Sequence, residues 1–587
     1  MPSSTDRKST ISWDLIIAAL ILLGVYFVLV WAHDGFGLAD FNYFSNSGAY
    51  MLNIPTPFVR SQFWKILFLF PATVLASVAM ARAGIRFHFP TSINYRLAVG
   101  SLIAIAATVL VLSTQLLFRE TEVTDDENTF DFQARTLLLG RVVNPPPPVT
   151  SSFRNVFIID DGKQWIGKYT LGHPLIIAIG IALGNRYLLT IALSVLTLYL
   201  VYLISLKIFG DKKVALLTLC LGAISPFFYL VSSSRLSHTS TAFFLALFMY
   251  LFLQSRSMQE KTGRAAFIAF LSGIALGYAF NVRSLTALGF VVPFCVVAID
   301  DLRQQKPGTL SRGLLMGAGF ALMVGITLWY NSVVTGNAFT FPFHYYDSGE
   351  ALGFGVFDHT IFSALRNLAV SIGRLNSVFL GFPLSLLFLF AVLFDRKGFG
   401  DYLSIGILGA IAIAFLFYYS PGVSDLGPVY YYETVIPLLL LSGRAVVFLH
   451  RLFADHFKHG NALVPNFLVL SLILSLVTFV PEQISHIHRL TDQIREPYEL
   501  VRSANVHHAL VMIKFRPDKG WVFGHRSPSP DFTDDVVYTW YTDSASNHAL
   551  VGCFRDRTAF ILGRDSSNQQ LKLVPFDPAA LQPLPSK

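Results

Sequence analysis

The sequence has few charged residues and very few cysteines, and each shortage narrows the class of protein. Only 14% of the 587 residues are charged, whereas 53% are hydrophobic. A soluble domain carries about 25% charged residues, so the composition excludes a soluble protein and predicts a membrane protein. The three cysteines, Cys220, Cys295 and Cys553, support neither a disulfide framework nor a thiolate metal site.

Apolar runs of about 17–25 residues, each long enough to cross the core of a bilayer, recur along the chain. They predict a mainly α, polytopic protein with about thirteen membrane-spanning helices, near residues 13–32, 63–81, 96–118, 186–206, 214–231, 240–255, 265–281, 285–299, 313–333, 376–395, 402–420, 432–449 and 465–482. Lys and Arg concentrate in alternate loops, which predicts a cytoplasmic N-terminus. The net charge of +8 is attributed to these loops, not to nucleic-acid binding.

The chain divides into three predicted regions. Residues 1–95 hold two spans with their loops, and residues 96–482 form the main membrane region. That region includes a long loop, 119–172, which the charge pattern places outside the cytoplasm. Residues 483–587 are more polar and contain short apolar runs between Pro, Asp and Ser, which predicts a small β or α/β extracytoplasmic domain.

The stretch 124–141, TDDENTFDFQARTLLLGR, is the most informative polar part of the chain. Thr124 and Glu127 have the spacing of a capping box, which predicts a helix that starts here. Asp125 and Asp126 would share its first turn, where the positive end of the helix dipole keeps carboxylates ionised. Two interpretations stay open: these acids only cap a helix, or they belong to a catalytic site.

Further polar residues map to the same predicted side of the membrane as this helix. They are Lys168 and His173 in GKYTLGHP, Arg235 and His238 in SSSRLSHTST, Arg283 in NVRS, and Tyr430, Tyr431, Tyr432 and Glu433 in GPVYYYETVIP. Taken singly, each has an ordinary explanation, because cations at span ends reach lipid headgroups and interfacial tyrosines form aromatic belts. Acids and bases on one face, however, suit a substrate that carries phosphate and must lose a proton.

These motifs resemble those of the polytopic GT-C glycosyltransferases, in particular the bacterial branch related to protein mannosyltransferases and to the aminoarabinose transferase of lipid A. The similarity covers about residues 119–440. The Asp-Glu pair with FQARTLLLGR is similar to the first-loop motif of the family, and GKYTLGHPLIIAIGIALG to its lysine-and-proline segment. AFNVRSLTALGFVVP and GPVYYYETVIPLLLLSG resemble its arginine at a span start and its late outer-loop motif. The first two spans are additional, because the family's Asp-Glu loop commonly follows the first span.

The resemblance implies a GT-C-like fold and an enzyme of the bacterial inner (plasma) membrane. Such an enzyme moves a sugar from a polyprenyl-phosphate donor to a glycan, lipid or protein acceptor on the extracytoplasmic face, usually with inversion. Decaprenyl phosphate is among the candidate carriers, and cell wall biosynthesis is the implied process. The reaction needs no nucleotide cofactor at that face, which agrees with the absence of a P-loop and of a dinucleotide fingerprint from the sequence.

The resemblance also implies roles for residues. Asp126 is the implied general base, and Glu127 is its neighbour. Asp125 is an alternative base, because three consecutive acids leave open which Asp matches the Asp of the family's motif. Lys168 and Arg283 would hold the carrier phosphate, and the remaining substrate-binding candidates are Arg235, His173, Tyr431 and Tyr432. Some members use a divalent cation, so the candidate cofactor is Mg²⁺ or Mn²⁺, with His238 and Asp126 as its candidate ligands.

Other functions compete with this one. A flippase or transporter of lipid-linked sugars would carry ionisable residues in mid-span, whereas the notable charges here are at span ends on one face. A ligase that moves a whole glycan would differ in substrate size, and a non-catalytic assembly protein would use the tail to bind partners. Turnover of a labelled donor separates an enzyme from a transporter or a scaffold.

Overall fold

Helices make up most of the protein in the computed structural model, which describes residues 12–34, 65–90, 92–258, 263–382, 385–516, 522–565 and 569–577. Parts of all three predicted regions therefore lie outside the described residues: 1–11, 35–64 and 91 of the first, 259–262 and 383–384 of the second, and 517–521, 566–568 and 578–587 of the last. In chain order, the helices are α1 Trp13–Asp34, α2 Phe70–Arg82, α3 Tyr95–Leu112, α4 Asp125–Leu138, α5 Thr150–Phe153, α6 Gly172–Ala182, α7 Leu188–Phe209, α8 Lys212–Ala223, α9 Pro226–Ser232, α10 His238–Ser257, α11 Gly263–Val282, α12 Ser284–Arg303, α13 Thr309–Thr335, α14 Pro342–Tyr346, α15 Ile361–Val378, α16 Leu387–Val392, α17 Phe399–Leu416, α18 Val435–His456, α19 Gly460–Leu474, α20 Val480–Ser503 and α21 Ser544–Cys553.

Short helical turns and strands complete the described structure. The π-helical turns are Lys65–Leu69, Ser113–Leu117 and Ser475–Phe479, and the 3₁₀ turns are Val356–Asp358 and Val429–Thr434. The strands are β1 Ile158–Asp160, β2 Trp165–Gly167, β3 Val423–Ser424, β4 Gly427–Pro428, β5 Ala509–Ile513, β6 Val536–Trp540, β7 Thr558–Arg564 and β8 Leu571–Pro575.

Nine helices in the described part of the chain are long and apolar enough to cross a membrane. They are Lys65–Arg82, Tyr95–Leu117, Leu188–Phe209, Gly263–Val282, Ser284–Arg303, Thr309–Thr335, Phe399–Leu416, Val429–His456 and Gly460–Ser503. A tenth candidate is the pair α8 and α9, which is bent by 57° at the break before Pro226. The chain is therefore a mainly helical, multi-pass membrane protein, as its composition predicts.

The predicted count of thirteen spans is too high for the described residues, and three segments account for most of the difference. The predicted span 13–32 falls on α1, whose side chains are described only over Trp13–Val28. Helix α10 is long enough, but its polar ends HTST and QSRS keep its mean hydropathy below that of the nine. The predicted span 376–395 is broken, because α15 ends at Val378, Gly381 adopts a left-handed φ of 64°, and α16 has only six residues.

Close helix packing fixes the ends of α10 and α12, which matter for the site below. Helices α11 and α13 approach closely at two glycines: a Cβ atom on Gly273 would lie 1.9 Å from the carbonyl oxygen of Met316, which only glycine tolerates. Across α10 and α12, the Phe248 and Phe294 rings pack edge to face at 4.8 Å. Near the N-terminal ends of the same two helices, the Arg283 guanidinium donates a hydrogen bond to the Ser237 hydroxyl at 3.3 Å.

The tail begins as a continuation of the last membrane helix. Helical turns run without interruption from Gly460 to Ser503, so the polar α20 extends the membrane helix beyond the predicted boundary at residue 483. A four-stranded mixed sheet follows, in the order β6-β5-β7-β8, with β5 parallel to β6 and β7, and β8 antiparallel to β7. The prediction of a small C-terminal α/β domain is confirmed as this mixed sheet with helix α21.

Candidate active site

The first turn of α4 contains the predicted capping box. The Thr124 hydroxyl accepts a hydrogen bond from the Glu127 amide, and Glu127 Oε2 accepts from the amides of Val123 and Thr124 at 2.8 and 3.2 Å. The second oxygen of Glu127 accepts from the backbone amide of Arg235 at 2.8 Å. Burial raises the pKa of Glu127 to about 7, although the Arg235 charge and the amides oppose that rise. Both oxygens of Glu127 are thus engaged in holding the helix start.

Asp125 has a different set of partners, in the distant C-terminal part of the chain. Its two carboxylate oxygens accept hydrogen bonds from the backbone amides of Phe523 and Gly524, at 2.9 and 3.0 Å. The side chain is buried, and burial raises its pKa to about 7 against the effect of these amides. Asp125 therefore binds the tail through both carboxylate oxygens.

Of the three acids, Asp126 alone is partly exposed. Among the described residues, no backbone amide donates a hydrogen bond to its carboxylate. Its Oδ1 accepts a hydrogen bond from the Tyr169 hydroxyl, the residue after Lys168 in GKYTLGHP. Asp126 is also close enough to act electrostatically on His238 and Tyr430, which come from α10 and from the 3₁₀ turn before α18. The structure thus brings the first-loop acid together with the second and late outer-loop motifs.

Arg283 faces this acid from the start of α12. It is the N-cap residue of the helix, and its guanidinium lies 5.1 Å from the centre of the Tyr430 ring. One guanidinium nitrogen donates to the Ser237 hydroxyl at 3.3 Å, and Nε lies 3.9 Å from Oε1 of Glu433. The same Glu433 oxygen is 3.1 Å from His238 Nδ1. Glu433 is fully buried and so holds the two bases in fixed positions.

Three helix N-termini meet around these residues. Asp126 is in the first turn of α4, His238 is the first residue of α10, and Arg283 precedes α12. The N-terminal end of a helix carries a partial positive charge and unpaired amide groups, which favour an anion. The Arg283 guanidinium adds a full positive charge at the same place. The region is therefore suited to hold a phosphate group beside a carboxylate that can accept a proton.

Lys168 lies in a nearby aromatic pocket and already has an anionic partner. Its ammonium is 2.7 Å from Oε1 of Glu350 and 3.7 Å from the centre of the Phe157 ring. The rings of Tyr169 and Tyr346 lie 5.5 and 5.2 Å from the same ammonium. Lys168 is buried, and its charge is balanced by Glu350, a residue that sequence reasoning did not identify.

Arg235 and His173 lie in the protein core, behind α4. Arg235 is 1% exposed, and its guanidinium donates to Asp131 at 2.8 Å and also to Glu122. The ring nitrogens of His173 are 2.8 Å from the Ser240 hydroxyl and 2.7 Å from the carbonyl oxygen of Arg235. Burial lowers the pKa of His173 to about 3, so the ring is neutral. Both ring nitrogens of His173, and Nη1 and Nη2 of Arg235, are occupied by protein groups, whereas Arg235 Nε has no hydrogen-bond partner among the described residues.

The Asp131 carboxylate forms ion pairs with three arginines of this core. Its carboxylate contacts Arg235 at 2.8 Å, Arg135 at 2.8 Å and Arg186 at 3.0 Å. Burial alone would raise the pKa of Asp131, but the three positive charges outweigh it and lower the pKa to about 2. Residue 131 lies five positions after Asp126 on α4, which places it on the opposite side of the helix. One side of α4 thus faces an ionic core, and the other side faces the candidate site.

The late tyrosines divide in a similar way. Tyr432 is buried and hydrogen-bonds through its hydroxyl to Ser232 at 2.7 Å, and Tyr431 packs against Phe415 with ring centres 5.5 Å apart. Tyr430, which is only partly buried, is the tyrosine that contacts Arg283. The predicted binding residues Tyr431 and Tyr432 therefore form the wall behind the site rather than its surface.

Two site residues were missed by sequence reasoning. Tyr169 had a signal, because it follows Lys168 directly in a motif already singled out. Glu350 had none, because it lies in an irregular segment between α14 and α15, 182 residues from its partner.

The described residues contain no group of three or more His, Cys, Asp and Glu side chains placed to hold a metal ion. His238 Nδ1 is engaged by Glu433, and Asp126 by Tyr169. The residues present therefore do not form a complete set of metal ligands, and no step below depends on Mg²⁺ or Mn²⁺.

Known proteins resemble this chain in one matched region of sequence and in fold. The profile of the family described as dolichyl-phosphate-mannose-protein mannosyltransferase matches residues 185–334. In fold, the chain is similar to ArnT from Cupriavidus metallidurans bound to undecaprenyl phosphate, with a TM-score of 0.53 and 13% identity over 80% of this chain and 93% of that chain. The apo state of the same ArnT gives a TM-score of 0.51 and 15% identity over the same shares.

A weaker likeness is to the protein O-mannosyltransferase Pmt1-Pmt2 complex of S. cerevisiae bound to the sugar donor. It has 15% identity over 44% of this chain and 35% of that chain, and its TM-score of 0.32 is too low to bear on the fold. No curated protein matches the chain in sequence.

The family profile matches the part of the membrane region from α7 to α13, and the fold of the chain is similar to that of ArnT. The resemblance drawn from its sequence motifs is thereby confirmed.

Proposed function

We propose that the protein transfers a sugar from a polyprenyl-phosphate carrier to a hydroxyl group of an acceptor, with Asp126 as the general base. The observation that carries this assignment is the different use of three adjacent acids. Glu127 is engaged by backbone amides and the capping box, and Asp125 by the tail. Asp126 alone of the three is partly exposed beside Arg283 and Tyr430.

The chemistry uses each of these groups in one step. Asp126 accepts the proton of the acceptor hydroxyl while the acceptor oxygen bonds to the anomeric carbon from the side opposite the phosphate. The bond from that carbon to the phosphate oxygen breaks, and polyprenyl phosphate leaves with its negative charge. The transition state resembles an oxocarbenium ion. The configuration of the anomeric carbon is inverted, because the acceptor oxygen attacks from the side opposite the departing phosphate.

Arg283 and Lys168 would stabilise the departing phosphate. Both are fixed in position before substrate arrives, Arg283 by Ser237 and Tyr430, and Lys168 by its aromatic pocket. Fixed charges lower the energy of a developing negative charge without reorganisation during the reaction. The N-termini of α10 and α12 add to the same field.

The distribution of basic residues supports a reaction on the extracytoplasmic face of a bacterial plasma membrane. Helices α10 and α12 begin at the site and end at the opposite side of the bundle, with Arg256 and Arg303 in their last turns. Lys207 and Lys306 lie at the same end of the bundle. The cytoplasmic side of a membrane protein is the one rich in Lys and Arg, so the candidate site and the tail sheet lie on the other side.

Cysteine labelling tests this orientation. A cysteine at Ser544, in a chain with Cys553 replaced, should react with a membrane-impermeant thiol reagent in intact spheroplasts. Labelling that occurs only after lysis would reverse the orientation.

Turnover in proteoliposomes tests the reaction. The purified protein is supplied with a panel of radiolabelled polyprenyl-phosphate sugars, including the mannose form, and with membranes of the source organism as acceptor. Free polyprenyl phosphate and labelled product are measured. Asp126→Asn should lower turnover by about 10²–10⁴-fold, the usual contribution of a general base. Asp492→Asn is the control, because Asp492 is exposed and forms a surface pair with Arg119. Donor that crosses the bilayer without being consumed would instead identify a transporter.

A further inference from the structure

The segment 522–527 of the tail, hereafter the docking segment, binds the first turn of α4 next to Asp126. Phe523 and Gly524 donate their amides to Asp125, as described above. One turn further along α4, the side-chain amide of Asn128 donates to the carbonyl oxygen of His525 at 2.9 Å and accepts from the Ser527 amide at 2.9 Å. Asn128 and Asp125 thus anchor both ends of this contact.

A further residue of the first loop, outside α4, also holds the docking segment. Asn155 donates from its side-chain amide to the carbonyl oxygen of His525 at 2.6 Å and to the Ser527 hydroxyl at 3.0 Å. The approach is so close that a Cβ atom on Gly524 would lie 2.0 Å from Oδ1 of Asn155. A larger residue at this position would displace either the segment or the Asn155 side chain that holds it.

The tail also holds its own end of the contact. The Arg526 amide donates to the Tyr498 hydroxyl at 3.0 Å, and the Arg526 guanidinium lies 4.3 Å from the centre of the Tyr498 ring. His525 packs against Trp540 of β6, with ring centres 5.0 Å apart. The docking segment is therefore fixed to α20 and to the tail sheet while it binds α4.

We propose that Asp125 is a positioning residue: by binding the amides of Phe523 and Gly524, it lets the C-terminal domain set the orientation of the first turn of α4 and hence of the Asp126 carboxylate. The inference rests on the proposed role of Asp126 as base. It assigns the neighbouring acid, an apparent rival for that role, a different and structural task. It also gives the tail a function in turnover that needs no contact between the tail and substrate.

The geometry explains why a small displacement would matter. Asp125 and Asp126 are consecutive in the first turn of one helix, so a rotation that carries one carboxylate carries the other. A reacting group misplaced by about 1 Å loses roughly 10²-fold in rate. Arg283 and Lys168 make no contact with the docking segment in the described structure, so donor binding should not change with it.

Two substitutions disturb the contact in different ways. Asp125→Asn replaces one accepting oxygen by an amide that opposes the tail's N–H group, and Gly524→Ala places a Cβ atom 2.0 Å from Asn155 Oδ1 and 3.2 Å from Asp125 Oδ1, so that the contact must shift. Each should lower kcat by about 10²-fold, with the KM for the polyprenyl-phosphate sugar unchanged within twofold. Gly552→Ala is the matched control in the same domain, because a Cβ atom there meets nothing within 4 Å.

Covalent attachment provides a readout that loss of folding would not mimic. Asn155→Cys and Ser527→Cys place two thiols where the native side chains are 3.0 Å apart, in a chain whose exposed Cys295 and Cys553 are replaced by Ser. In the Asp125→Asn background, oxidation of this pair should restore at least about tenfold of the lost kcat, and reduction should abolish the gain.

The outcomes separate the inference from the proposed function. If Gly524→Ala and Asp125→Asn keep normal kcat while Asp126→Asn is inactive, Asp125 has no positioning role and the base assignment stands. If Asp125→Asn is inactive, oxidation gives no rescue and Gly524→Ala is normal, the inference is also overturned. If Asp126→Asn itself keeps full turnover, the proposed base fails first, and the inference fails with it.

Discussion

The ammonium of Lys168 lies 2.7 Å from a carboxylate oxygen of Glu350, and both side chains are largely shielded from solvent. The pair is enclosed by the rings of Phe157, Tyr169 and Tyr346. A buried ammonium needs an anion close by, because an unpaired charge costs several kcal/mol in such a place. A donor phosphate that binds Lys168 must therefore compete with Glu350.

Glu350→Gln should expose this competition. Removal of the carboxylate leaves Lys168 without its anion, so the donor KM should fall severalfold and the melting temperature without donor should also fall. Added polyprenyl-phosphate sugar should restore the melting temperature, since a ligand that binds the folded state stabilises it. Glu499→Gln, at an exposed pair with Arg495, is the control. A higher donor KM in Glu350→Gln would mean that Glu350 helps to bind the donor.

Tyr169→Phe removes the hydroxyl that donates to Asp126. A hydrogen bond to a charged group contributes about 1.5–3 kcal/mol, so turnover should fall by roughly 10–100-fold if this bond orients the base. The donor KM should stay unchanged. Tyr345→Phe is a matched control, because the Tyr345 hydroxyl donates to Asp161 at 2.6 Å at the surface of the same region. Equal effects of the two substitutions would contradict a special role for Tyr169.

Arg283→Ala should weaken use of the donor. Loss of one charged contact to phosphate costs about 1.5–3 kcal/mol, so the donor KM should rise by roughly 10–100-fold. Arg451→Ala, at an exposed arginine of α18, should leave the KM unchanged. Unaltered donor kinetics in a double variant that also carries Lys168→Ala would rule out phosphate binding by this pair.

Thermal stability should depend on pH in a direction set by the buried acids of α4. The pKa values of Asp125 and Glu127 are raised to about 7, so the folded state binds their protons more tightly than the unfolded chain does. Their contribution to stability is fully present below the unfolded pKa values of 3.8 and 4.5, and it is lost as the pH rises through about 7. The lowered pKa of Asp131 acts oppositely, but only as the pH falls below 3.8 towards about 2.

Melting temperatures between pH 4 and pH 8 in detergent test this prediction. The wild-type melting temperature should fall as the pH rises. For Glu127 alone, the free energy of unfolding should fall by an amount on the order of 3 kcal/mol. Glu127→Gln keeps a capping side chain but cannot ionise, so its curve should be less steep. A melting temperature that rises steadily from pH 4 to pH 8 would contradict the raised pKa values.

Asp131→Asn tests the ionic core behind α4. The substitution leaves Arg135, Arg186 and Arg235 without their shared carboxylate, and loss of one partner of a buried ion pair costs about 3–5 kcal/mol. Asp301→Asn is the control, because it removes a carboxylate that pairs with Arg256 and Lys306. Both of these cations are partly exposed, so the loss of stability should be smaller than for Asp131→Asn. Comparable melting temperatures for the two variants would mean that the core pairs contribute little.

Local sequence signals predicted the first turn of α4 well, because a capping box depends only on residues three positions apart. They also identified Arg283, whose position at a helix start follows from a span boundary. The same signals could not show that Arg235 and His173 are buried in the core, because their partners lie 62 to 113 residues away. Hydropathy overestimated the number of spans because it does not register a left-handed turn such as the one at Gly381.

The contact between Asp125 and Phe523 joins residues 398 positions apart in the chain. A ribosome adds about 5–20 residues per second, so the amides that bind Asp125 are synthesised roughly 20–80 s after Asp125 itself. During that interval this carboxylate lacks its final partners. The first turn of α4 is therefore completed by a segment that is made long after it.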